Sequence, residues 1–123
     1  MAFENLGKCI SRIATPDLSG SQYRFVKLDG SAQLALPSSG GDAIGVLQDD
    51  PVAGGVGNVM VGNGITKVVA GAAIAAGRPI ATDNLGRAID GVTGDYMLGF
   101  ALAAATAAGD VIPILFQRAG NVR

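Results

Sequence analysis

Histidine and tryptophan are absent from this chain of 123 residues, and cysteine occurs once, at Cys9. Without histidine the chain lacks the commonest general base, the commonest metal ligand and the usual switch near neutral pH. A single cysteine makes no internal disulfide and offers no zinc-binding spacing. Charge is also scarce: 15% of residues are charged, where soluble domains carry about 25%. Two explanations stay open. Glycine and alanine dilute every other class, or partners cover much of the surface.

The charges present point to no chemistry. Residues 1–28 hold four basic and two acidic side chains, and the remainder five basic and eight acidic. That asymmetry is too mild for a phosphate-binding footprint, so no nucleic-acid partner is expected. Glu4 is the sole glutamate, and the aspartates all sit beside turn signals. Asp49 and Asp50 precede Pro51; they fit turn-capping better than calcium binding, whose other oxygen ligands are missing. No histidine activates a serine or Cys9. Gly54-Gly-Val-Gly-Asn58 and Gly62-Asn-Gly64 lack the Lys-Ser/Thr ending of a phosphate loop. The expectation is a non-enzyme with no catalytic, cofactor-binding or metal-binding residue and no small-molecule substrate.

Nor is a membrane partner expected. Glu4, Lys8 and Arg12 interrupt any apolar leader. The uncharged stretch at residues 96–109 falls short of the roughly 18–20 apolar residues of a spanning helix. The expectation is a protein made and kept in a cytosol unless it leaves inside an assembly.

What the chain does hold is small-residue punctuation. Val69-Ala-Gly-Ala-Ala-Ile-Ala-Ala-Gly-Arg-Pro-Ile80 is followed by Asn84-Leu-Gly-Arg-Ala88, Gly94-Asp95 and Ala107-Ala-Gly-Asp-Val-Ile112. Each is a turn signal leading into a short apolar run, which predicts short strands joined by glycine turns. The clearest strand is Tyr23-Arg-Phe-Val-Lys-Leu28, with Asp29-Gly30 as a type I′ hairpin turn. Asn63-Gly64 is a second hairpin signal, between residues 56–61 and 65–69. Pro113 predicts that the last strand is an edge or is bulged there. Residues 101–108 have high helix propensity, yet the turn at Ala107-Ala-Gly-Asp110 favours a strand and then a loop. About nine short strands at intervals of roughly ten residues predict an all-β barrel or sandwich. Gly41-Asp-Ala-Ile-Gly-Val-Leu47 echoes Gly94-Asp-Tyr-Met-Leu-Gly-Phe-Ala-Leu102, at a spacing that excludes a solenoid.

Residues 1–20 differ. Phe3, Leu6, Ile10 and Ile13 recur at helical spacing, and Thr15-Pro16-Asp17 breaks any helix. Two readings stay open: a frayed terminus with a few packed anchors, or an arm that orders on a neighbouring subunit. The division is an arm at 1–20 and a β-domain at 21–123. The four apolar residues are the candidate interface with a neighbouring subunit. Gly30, Gly64, Gly71, Gly77, Gly86, Gly94 and Gly109 are candidate fold-determining turns.

Several segments, in this order, resemble the capsid decoration, or cement, proteins of tailed bacteriophages. They are Tyr23-Arg-Phe-Val-Lys-Leu-Asp-Gly30, Ile44-Gly-Val-Leu-Gln48, Lys67-Val-Val-Ala-Gly-Ala-Ala-Ile-Ala-Ala-Gly77, Gly86-Arg-Ala88, Leu98-Gly-Phe-Ala-Leu-Ala-Ala-Ala105 and Ala108-Gly-Asp110. The resemblance covers roughly residues 21–116. It implies a compact β-barrel or β-tulip-like domain, assembled as a trimer on the outside of a phage head. The implied partners are the major capsid protein and the chain itself, in a mechanical role that resists the pressure of packaged DNA. It implies no catalytic residue and no cofactor. Two other readings are another virion β-module, such as a fibre base or head–tail component, and a ligand-binding module of the β-clip type.

Overall fold

The computed structural model describes residues 8–118 and residue 120, and among these no helix forms. The ten strands are β1 (Cys9–Ile13), β2 (Phe25–Leu28), β3 (Leu34–Ala35), β4 (Gly45–Leu47), β5 (Val56–Met60), β6 (Gly64–Val69), β7 (Pro79–Thr82), β8 (Ala88–Asp90), β9 (Gly99–Ala101) and β10 (Val111–Phe116). They form two antiparallel five-stranded sheets, in the orders β1-β5-β4-β2-β3 and β6-β10-β9-β7-β8. The all-β expectation holds, with no helix at residues 101–108. No strand ladder joins the two sheets into one closed barrel. Each sheet curls until its ends meet at one parallel bridge, Ala14 to Leu34 in the first and Ala70 to Ala88 in the second.

Those two orders are one path traced twice, and the hydrogen bonds repeat with it. The Ala14 amide donates to Gly55 at 2.8 Å, and the Ala70 amide to Asp110 at 2.7 Å. Tyr23 donates to Leu47 and Gly77 to Ala101, both at 2.7 Å. Ile44 donates to Val26 at 2.9 Å and Leu98 to Ile80 at 2.8 Å. Left-handed residues recur in step: Tyr23 (φ 63°) with Gly77 (φ 83°), and Ala32 (φ 60°) with Gly86 (φ 78°). The domain is thus two copies of one curled unit. The echo between residues 41–47 and 94–102 is a trace of it.

Each unit has a core, and the cores differ in how they are closed. The first unit's interior holds Ala14, Leu18, Val26, Leu34, Leu47 and Val59, rimmed by half-buried Ile10, Leu28, Leu36, Ile44 and Val61. The second unit's interior holds Ile74, Ile80, Leu98, Ile114 and Phe116 among others, and also takes in Phe25, Val46 and Met60 from the first unit. Cross-strand register sets these three in one row on the outer face of the first sheet. The Phe25 ring reaches Phe116, with centroids 6.3 Å apart. The central strands β2 and β4 and the end of β5 at Val59–Met60 are therefore buried on both faces, as their short runs of apolar residues require.

Several local expectations change. Residues 9–13 are a strand paired with β5, not a helix. A spacing of three puts Ile10 and Ile13 on opposite faces of a strand; Ile10 packs on the first core and Ile13 is exposed. The Asp29 turn is a hairpin with a three-residue loop. The Asp29 carboxylate accepts the amides of Ser31 (2.8 Å) and Gln33 (3.1 Å), which moves the left-handed residue from Gly30 to Ala32. Asn63-Gly64 makes no hairpin. It passes the chain from one sheet to the other, because β5 pairs with β4 and β1 while β6 pairs with β10. Pro113 lies in a strand paired on both sides. Its carbonyl accepts from Leu102 at 3.0 Å. Its missing N–H therefore faces Leu102, just past the end of β9 at Ala101, and the β9–β10 ladder stops there.

Candidate interaction surface

The second unit has the same outer row, of which the first unit buries all but Cys9. In the first unit the row runs Cys9–Met60–Val46–Phe25 across four strands. In the second it runs Ile65–Leu115–Phe100–Pro79. Beside it lie Lys67, Pro113 and Leu102, then Val69 and Val111. Nothing among the described residues covers this face. Ile65 is 57% exposed, Leu102 47% and Val111 49%, and Leu115, Phe100 and Pro79 are half-buried. Lys67 is its one charge, held over the Tyr23 ring at 5.9 Å. A contiguous exposed apolar face of this kind, rimmed by polar residues, marks an interaction site.

The opposite end of the molecule shows a gap. In the second unit the segment 23–25 of the first unit fills the space between β6 and the β7–β8 turn. The Val69 amide donates to Tyr23 at 2.8 Å, and the Phe25 amide to Gly86 at 2.7 Å. The equivalent space in the first unit lies between β1 and the β2–β3 turn. It is an open depression of about 240 Å³ lined by Ser11, Arg12, Ile13, Ser31, Ala32 and Val56, among others. Because the Ala14 amide donates to Gly55, just ahead of β5, strand alternation turns the Ile13 amide away from β5 and toward this gap.

The residues picked from the sequence fall in different places. Phe3 and Leu6 lie outside the described residues. Ile10 sits on the rim of the first core, and Ile13 stands exposed opposite Val56. Gly77, Gly86, Gly94 and Gly109 are left-handed, whereas Gly30, Gly64 and Gly71 are not. Gly86 is the most constrained of them, because a Cβ there would press on the Phe25 carbonyl behind it.

The polar groups serve the turns. Asp49 accepts from the Asn58 amide at 3.1 Å and Asp50 from the Gln22 amide at 2.8 Å, so each ties separate segments together and neither caps its own turn. The hydroxyl of Thr15 is the largest influence holding the Asp29 carboxyl below the usual carboxylate range, with the Gln33 and Ser31 amides behind it. The side chain and amide of Ser19 lower Asp17, and the amide and side chain of Thr106 lower Asp110. Asp83 repeats the Asp29 turn, accepting from Leu85 (2.9 Å) and Arg87 (2.8 Å). Among the described residues no three His, Cys, Asp or Glu side chains gather as a metal site. Cys9 is exposed and free.

Sequence reasoning missed the outer face of the second sheet. Its signal is the unbroken apolar run Val111-Ile-Pro-Ile-Leu-Phe116. Such a run belongs to a strand covered on both faces, and within the described chain β10 is covered on one.

A family profile described as phage cement protein matches residues 14–116, from the first closing bridge to the end of β10. Among solved structures, the head fiber gp8.5 N base in bacteriophage phi29 matches with a TM-score of 0.75 and 18% identity, over 94% of this chain and 98% of that one. At that identity the likeness is one of fold. No curated protein matches the chain. The family match spans both curled units and nearly every strand described above, and by it the chain belongs to the phage cement protein family.

Proposed function

We propose that this protein sits on the outer surface of a phage head, bridges neighbouring major capsid subunits and stabilises the shell against the pressure of packaged DNA. It acts as a homotrimer, is made in the host cytoplasm, and performs no catalysis. The observation that carries the reading is the uncovered apolar face of the second sheet in a chain of the cement family. A lone domain gains nothing by exposing such a face, whereas an assembled one buries it. The segment ahead of β1, with Phe3 and Leu6, serves as the arm and together with exposed Ile13 engages a neighbouring subunit or the shell, whereas Ile10 and residues 14–18 pack into the chain's own first unit. The open edge of β1 suits strand addition. Many such contacts acting together hold a shell more firmly than any one of them.

The test is co-sedimentation of the purified protein with expanded shells of the phage that encodes it, followed by electron microscopy. Saturable binding at a fixed ratio to the major capsid protein, with greater resistance of the shells to heat, is the expected result. Failure to bind expanded shells overturns the proposal. A second reading, the base of a head fibre, is favoured by the fold shared with the phi29 fibre base. Fibres projecting from labelled heads would support it.

A further inference from the structure

We infer that the uncovered face of the second unit is a plug, that the open end of the first unit is its socket, and that the occupant of each is a second copy of this chain, joined head to tail. The inference deepens the self-association proposed above and rests on it.

The argument is that the molecule already contains this joint once. Inside the chain, the outer face of the first unit closes the end of the second. Phe25, Val46 and Met60 enter the second core, the Gln48 side-chain amide donates to the Thr66 hydroxyl at 3.2 Å, and residues 23–25 bridge the gap beside β6. The two units share one topology and one hydrogen-bond pattern. The second unit therefore carries the same plug in the same register, with Pro79, Phe100 and Leu115 at the positions of Phe25, Val46 and Met60. Leu102 stands at the position of Gln48.

The first unit has the matching socket, and no described residue fills it. Ile10, Leu28 and Val61 are half-buried at its rim, where Thr66, Thr82 and Phe116 of the second unit are buried. The Ile13 amide points into the depression, as the Val69 amide points at Tyr23. In a second copy the carbonyl of Gly77, the counterpart of Tyr23, is its acceptor. Arg12 replaces Val68 at the lip, so the joint between copies has a more polar margin than the one within the chain.

The two joints are not identical. Pro79 lacks the amide that Phe25 donates, and Ala32 has a Cβ where Gly86 has none. The joint between copies keeps the apolar plug and the Ile13 hydrogen bond and omits the second bond, which suits a contact made after folding. A plug and a socket on opposite ends make a heterologous interface, which grows until it closes as a ring. In the proposed homotrimer the ring has six units.

The test uses the full chain and two exposed positions, Leu102→Glu in the plug and Ser31→Trp in the socket, read by sedimentation velocity with melting temperature as the folding control. The wild type is expected to sediment as a closed oligomer. Each variant alone is expected to sediment as a monomer that still unfolds in one cooperative transition, at a melting temperature lowered only by the loss of self-association. Mixed at high concentration, they are expected to form a heterodimer that grows no further, since one intact plug and one intact socket remain. Oligomers that survive both substitutions overturn the assignment and leave self-association standing. A mixture that stays monomeric overturns the head-to-tail arrangement. A Leu102→Glu variant that keeps its oligomer but loses shell binding gives the face to the capsid instead. A wild type that is monomeric at every concentration removes the self-association proposal and this inference together.

Discussion

Phe25 and Phe116 face each other with ring centroids 6.3 Å apart and planes tilted by 35°, and this pair is where one curled unit is fastened to the other. Phe25 comes from the outer face of the first sheet and Phe116 from the interior of the second, and both are buried. Tilted pairs at such distances add about 0.5–1.5 kcal/mol beyond the area they bury.

Phe25→Ala empties the joint without touching either bridge that closes a unit. Truncating a buried phenylalanine costs about 3–5 kcal/mol. The expected outcome is a large fall in melting temperature, with the second unit's amides losing hydrogen-exchange protection before those around Leu18 and Leu47, which lie in the separate first core. Equal loss in both units would show that the joint does not hold the second core closed.

How far this was legible depends on whether a signal was local. Asp29 announces a turn in sequence because its carboxylate satisfies the amides of Ser31 and Gln33, a contact within five residues. Asn63-Gly64 announces one too, but a turn signal fixes a bend and not which strands pair across it. Burial chose β4 and β1 for β5, and β10 for β6. The internal repeat left only a faint echo. In sequence Gly41-Asp42 aligns with Gly94-Asp95, whereas in the fold Gly40 matches Gly94, since both are left-handed. Most other equivalent positions share size or conformation and not identity, as Leu18 does with Ile74 and Tyr23 with Gly77. The interaction face was hidden for a related reason. An apolar run reads as core, and only the topology shows that one side of β10 has nothing packed on it.

Acid should weaken the protein through its turn carboxylates. Asp17, Asp29 and Asp110 are all held below the ordinary carboxylate value in the folded state. A lowered folded value means that their contribution is fully present above the unfolded value near 4 and is lost as pH falls through the folded values. Melting temperature is expected to be flat above about pH 5 and to drop below about pH 4. Thr15→Val removes the largest influence on Asp29. It should raise that carboxyl towards its ordinary value in an NMR titration and shrink the acid drop. An unchanged titration would assign the lowering to the two amides.

Glycines at two turns separate a conformational requirement from a packing one. Gly77 is left-handed with open space where a Cβ would go, and Gly86 is left-handed with the Phe25 carbonyl directly behind it. Their counterparts in the first unit, Tyr23 and Ala32, carry side chains at the same backbone conformation, so a Cβ is tolerable where nothing packs against it. Gly77→Ala is therefore expected to cost about 1–2 kcal/mol, the left-handed penalty alone. Gly86→Ala adds displacement of residues 24–25 and weakens the Phe25-to-Gly86 hydrogen bond of 2.7 Å, so its total should exceed that of Gly77→Ala by about 1 kcal/mol or more. The check is paired urea unfolding, together with the hydrogen-exchange rate of the Phe25 amide. Equal costs for the two variants, with that amide still protected, would mean that the joint yields around an added methyl group and that only the turn conformation matters.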